Sequence, residues 1–265
     1  MDPKLYSRLL KVSLFLLPFL AMAQEWEEVK KHSLKKTATA YSADIQGNFF
    51  IGYTDGSLEK RNANGDLLEN FALSNNSPIS LIDVQNNLRP FLFYFDNQQI
   101  TILDRFSSVP KIYQLSDLGT EIGMMACPSP DGDIWVLENN PQRLKKINPL
   151  RKSTILEAQI SIGDNIRKMQ AYQNFLFIAD EQGLHFFDQF GGFVQSLKIE
   201  GMLNFQVSSG MIHAFTSSMI HQIDINKGEF NSSIKLPYEI SGGLKLNDQY
   251  LLIDEKELAY YKLID

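Results

Sequence analysis

Few side chains in this chain have the means to do chemistry. Histidine occurs four times, at His32, His185, His213 and His221. His213 and His221 flank Ser217-Ser218, a turn-like pair, and their spacing predicts that they face each other across a hairpin. Two facing imidazoles can bind a metal only with a third ligand. The nearest acid, Asp224, occupies a recurrent turn position, so a cross-strand surface pair is the plainer expectation. Asp44 and Asp83 lie near the starts of successive units and are the acids best placed to meet at a shared opening, as a carboxylate pair for glycoside hydrolysis would. Solvated turn acids are again the plainer expectation. The sequence contains no G-x-S-x-G elbow and no Walker-type Gly-Lys-Ser/Thr. Cys127 stands alone in the apolar run Met124-Met125-Ala126-Cys127, which reads as a buried core position. No catalytic, metal-binding or cofactor-binding residue is assigned on these grounds, and no cofactor is expected.

The elements that would carry such residues are more legible. Apolar cores recur at Phe49-Phe50-Ile51, Phe91-Leu92-Phe93, Ile134-Trp135-Val136, Phe175-Leu176-Phe177, Ile212-His213-Ala214 and Tyr250-Leu251-Leu252. Each is followed by an aliphatic residue, at Leu58, Ile100, Leu144, Leu184, Ile220 and Leu258. Four residues further stand Asn62, Asp104, Asn148, Asp188 and Asp224; the last copy has Lys262 instead. Between the paired segments lie turn formers such as Asp55-Gly56, Asn139-Asn140 and Asp254-Glu255, which suit tight hairpins. A period of about 40 residues marks stacked supersecondary units that cannot bury their apolar faces alone.

Four strands can be read in the first unit, at 39–43, 49–53, 57–61 and 67–73. The sixth offers three, at 243–246, 250–253 and 258–263. Short antiparallel strands in units of four, repeated radially, predict an all-β fold, a six-bladed β-propeller. The missing outer strand of the last blade is expected from the N-terminal segment at about 25–34, where Trp26, Val29 and Leu34 are otherwise unplaced. Such closure would protect the open edges of the ring.

Residues 1–23 read as a signal peptide. Lys4, Arg8 and Lys11 precede the apolar run Val12–Leu20, and Ala21-Met22-Ala23 forms a cleavage site before Gln24. That run is too short to span a bilayer, and no Cys follows it, which argues against a lipoprotein. Residues 24–265 are then expected as a single propeller domain. The net charge is −6, and loss of Asp2, Lys4, Arg8 and Lys11 would take it to −8. An acidic surface argues against a nucleic-acid partner. One Cys precludes an intramolecular disulfide, as suits a bacterial envelope protein with a sufficient core.

Ser129-Pro130-Asp131-Gly132-Asp133-Ile134-Trp135-Val136, followed by Arg143-Leu144-Lys145-Lys146-Ile147, resembles the NHL and WD-repeat class of propellers. The resemblance implies a rigid disc used mostly to bind other macromolecules. The leader ending Ala-Met-Ala-Gln, the acidic Asn- and Phe-rich chain and the lone Cys resemble exported proteins of Bacteroidota. Among these is the plug subunit that seals the periplasmic end of the type IX secretion translocon.

Two residues after the recurrent Asn/Asp stand Phe106, Leu150 and Phe190 in three consecutive units. Apolar residues at equivalent turns predict a partner-binding rim. The expected function is a non-catalytic, exported interaction module of the cell envelope, located in the periplasm or at the periplasmic face of the outer membrane. Its partner would be another envelope protein, with an accessory or plug role at an outer-membrane secretion channel as the finer form. The alternative is a metal-dependent, lactonase-like envelope hydrolase with its site at the central opening.

Overall fold

The computed structural model describes residues 25–265 except 72, 74, 105, 106, 255 and 265, and omits the side chains of 107 and 108. The expected signal peptide lies outside the described residues. Numbered in chain order, β1 is Glu25–Ser33. The first sheet holds β2 (Ala38–Ala43), β3 (Phe49–Tyr53), β4 (Leu58–Arg61) and β5 (Leu67–Phe71). The second holds β6 (Leu81–Asp83), β7 (Phe91–Tyr94), β8 (Gln99–Asp104) and β9 (Ser107–Gln114). The third holds β10 (Gly123–Pro128), β11 (Ile134–Glu138), β12 (Arg143–Asn148) and β13 (Ser153–Gln159). The fourth holds β14 (Lys168–Tyr172), β15 (Phe175–Ala179), β16 (Gly183–Asp188) and β17 (Phe193–Lys198). The fifth holds β18 (Met202–Ser208), β19 (Met211–Thr216), β20 (Met219–Asp224) and β21 (Glu229–Lys235). The sixth holds β22 (Gly242–Leu246), β23 (Gln249–Asp254), β24 (Glu257–Ile264) and, outside them, β1.

The first strands of the sheets touch in cyclic order, β2 to β6 to β10 to β14 to β18 to β22 and back to β2, so the sheets ring a common axis. This is a six-bladed β-propeller, as the period requires. Burial follows the radius. The second strand of each blade is almost wholly buried, because both of its faces pack on neighbouring blades. The outermost strands are mostly exposed. This explains why the second strands read as unbroken apolar runs instead of alternating patterns.

The ring closes where the sequence placed its closure. β1 pairs antiparallel with β24, setting Trp26 opposite Leu263 and His32 opposite Leu258. It also reaches the blades on either side. Trp26 Nε1 donates to the Lys235 carbonyl of the fifth blade at 2.7 Å. Lys30 Nζ donates to the Asn64 carbonyl of the first blade at 3.0 Å, and Arg61 Nη1 lies 2.9 Å from His32 Nε2. The first strand of blade two is short, spanning only Leu81–Asp83, and a 3-10 turn, Ser116–Leu118, links blades two and three.

Candidate functional site: the turn rim and the central channel

Turns joining first to second strands, and third to fourth strands, share one face of the disc. Their acids act as turn caps. Asp188 Oδ1 accepts the Phe190 and Gly192 amides at 2.8 Å each, and Asp224 Oδ1 accepts those of Asn226 and Lys227. Asn62 and Asn148 cap their own turns in the same way. A short side chain that bonds backbone two to four residues ahead fixes the loop and leaves the next side chains free to project.

Leu150 and Phe190 project from these turns, 81% and 65% exposed. Phe106, the third expected rim residue, lies outside the described residues. The Phe190 turn leans on blade three: Gly191, at φ +76°, packs against Ala158 and Leu156 of β13. Ile155 on β13 and Phe193 and Val194 on β17 are also exposed, so the apolar surface is broader than the two turn residues. Sequence reasoning missed these three. Their signal was an apolar residue on an outermost strand, where a polar face is the norm.

The histidine pair is corrected. Strands β19 and β20 pair His213 with Gln222 and Ala214 with His221. The two imidazoles are one register step apart, so they point to opposite sheet faces. His213 is buried beside Tyr250, and burial pulls its pKa down to about 4. His221 Nδ1 instead sits 2.8 Å from Ser233 Oγ on β21. Among the described residues no cluster of three or more His, Cys, Asp or Glu side chains is arranged to hold a metal.

The two acids proposed to converge are each engaged by their own turns. Asp44 accepts the Gln46 and Asn48 amides and the Asn48 side chain. Asp83 accepts the Gln85 amide and is buried, and desolvation raises its pKa against the opposing pull of the Lys168 charge.

The channel has two unlike ends. At the end shared with the capped turns, a cavity of about 450 Å³ is lined by Asp83, Gln85, Arg89, Asp131 and Asp133. At the opposite mouth, a cavity of about 480 Å³ draws residues from all six blades, among them Thr39, Ser80, Met124, Arg167, Leu203 and Ser241. A narrower space of about 90 Å³ continues inward from this mouth past Tyr41 and Asn204 to Lys168. Tyr41 Oη and the Asn204 side chain are 3.3 Å apart, and Asn204 in turn bonds the Gly243 backbone.

Comparison with known proteins agrees with this fold. No family model matches the chain, and no curated relative matches it. Among solved structures, it is similar to a catalytically inactive H270A virginiamycin B lyase from Staphylococcus aureus with quinupristin. There the TM-score is 0.63 and the identity 13%, over 91% of this chain and 100% of that one. It is also similar to the Myceliophteria thermophila Cps50 (Swd1) β-propeller domain, with a TM-score of 0.65 and 8% identity over the same shares. At such identities the likeness is one of fold alone.

Among the described residues, no helix is long and apolar enough to cross a membrane.

Proposed function

We propose that this chain is an exported, non-catalytic β-propeller that binds another envelope protein through the rim of blades three and four. The observation that carries the reading is the exposure of Leu150 and Phe190 on turns whose backbones are pinned by Asn148 and Asp188. Rigid apolar side chains at exposed turns lose little conformational freedom on docking and bury apolar area, as interface anchors do. The exposed neighbours Ile155 and Phe193 extend the surface. The export half of the reading rests on the charged, apolar and Ala-x-Ala segments of residues 1–23. Its finer form, an accessory or plug subunit at the periplasmic end of a secretion channel, rests on that leader, the acidic chain and the lone Cys.

The test replaces Phe106, Leu150 and Phe190 together with Ser. Native complexes are then purified from the envelope, and co-purifying proteins are quantified against the unaltered chain. Selective loss of one stoichiometric partner, with the melting temperature unchanged, supports the rim. Retention of every partner by a folded variant removes it. N-terminal sequencing of the envelope-located protein checks export, with Gln24 as the expected first residue.

A further inference from the structure

Two lysines of this chain are equally buried, at 7% exposure each, and they are treated differently by the fold. Lys145 is satisfied: its ammonium donates to Glu138 at 2.8 Å and to the Gly119 carbonyl at 3.0 Å. Lys168 lines the narrow inner space of the channel, and among the described residues its ammonium has no hydrogen bond or ion pair. It has only the Phe205 ring, 5.5 Å from Nζ, and the more distant charge of Asp83. A buried ammonium without acceptors is costly, so an unmatched one facing a cavity marks a place for an acceptor.

The surroundings define that acceptor. Arg167, the neighbouring residue, lines the same space and the wider mouth, and its guanidinium is likewise unpaired among the described residues. Tyr41 and Ser80 add hydroxyls at the same level. The acids of the channel lie toward its other end, with Asp83 and Asp131. The wall of the mouth is mixed: Phe95, Met124, Ile166 and Leu203 give it apolar surface beside the hydroxyls of Thr39, Ser80 and Ser241. Burial pulls the Lys168 ammonium down to about 8, which leaves it mostly charged at neutral pH.

We propose that this mouth binds a small apolar carboxylate, its anionic head on Lys168 and Arg167 and its hydrocarbon part against Met124, Ile166 and Leu203. The cations fix the head, and a site of this depth matches a short chain or single ring better than a polymer. The site is on the axis, separate from the rim of blades three and four, and stands whether or not that rim docks a partner.

Hexanoate is the probe, titrated at neutral pH into the chain lacking residues 1–23, the form expected after cleavage. Inorganic phosphate and hexan-1-ol serve as comparisons, one lacking the apolar part and the other the charge. Saturable one-to-one binding of hexanoate at millimolar concentration is expected, with phosphate and hexanol each weaker by about tenfold or more. Lys168→Met keeps the apolar stem and removes the charge that the anionic head would meet. Arg167→Ala changes an exposed position and guards against a folding defect in the first variant. Each should weaken hexanoate by about tenfold. Absent hexanoate binding, equal binding by both variants, or phosphate binding as tightly as hexanoate would each overturn the proposal.

Discussion

The indole of Trp26 hydrogen-bonds the carbonyl of Lys235, 209 residues later, and so ties the first described strand to a blade it does not belong to. The same ring meets Tyr250 and Tyr261 edge-on, at centroid distances of 5.4 and 6.2 Å. β1 is therefore a clasp across blades five and six as well as an outer strand. Trp26→Ala removes a half-buried aromatic and orphans a carbonyl acceptor. Large-to-small changes of this kind cost about 2–4 kcal/mol. For a domain of this size that lowers the melting temperature by roughly 5–12 °C. Thermal unfolding followed by circular dichroism measures it; a shift under about 2 °C would deny the clasp its role.

Asp188 sets the conformation of the Phe190 turn through two amide hydrogen bonds. Asp188→Ala should cost about 1–2 kcal/mol, because the two donors lose their acceptor. Urea unfolding would show it as a lower midpoint with an unchanged slope. The same variant should weaken rim-dependent partner binding although Asp188 itself is no apolar contact. Full retention of binding would mean that Phe190 does not need a fixed turn.

The fold was legible because each second strand packs on two neighbours. Phe49-Phe50-Ile51 and Ile134-Trp135-Val136 therefore repeat as apolar runs whatever surrounds them. β1 was legible for a complementary reason: Trp26 and Leu34 had no partner within their own stretch of chain, and the sixth unit was one strand short. The histidine geometry was misread because a hairpin's register decides which face a residue takes. A turn centred on Ser217 would put His213 opposite His221, while the actual register is centred between Ser217 and Ser218 and puts His213 opposite Gln222. Lys168 gave no signal at all. A lysine at the start of a strand reads as a solvated end, and only the ring of six first strands turns that end into the wall of a channel.

Cys127 reports on the integrity of the inner ring. It is fully buried in β10, and desolvation together with the Asp83 charge pushes its thiol well above the ordinary range. Only the thiolate attacks a disulfide reagent, so the native protein should be inert to an aromatic disulfide at pH 8. Full labelling should appear only in denaturant, with a rate that tracks unfolding. Rapid labelling of the native chain would mean that the inner strands open far more readily than their packing implies.

His213 should make the propeller acid-sensitive in a definite window. Burial depresses its pKa from 6.5 to about 4, so the native state holds it neutral while the unfolded chain protonates it first. Above pH 6.5 both states are neutral and the residue contributes no pH dependence. As pH falls from 6.5 toward 4 the unfolded state binds the extra proton, and stability is lost by up to roughly 3 kcal/mol. The nearby Lys245 ammonium, which sits over the Tyr250 ring that His213 also meets, works in the same direction by opposing a second positive charge. His213→Phe keeps an aromatic ring against Tyr250 and removes the titration. Its urea midpoint should fall less than that of the unaltered chain between pH 6.5 and 4.5, and the two should run parallel above pH 7. Parallel behaviour throughout the acid range would show that His213 is protonated in the folded state, contrary to its burial.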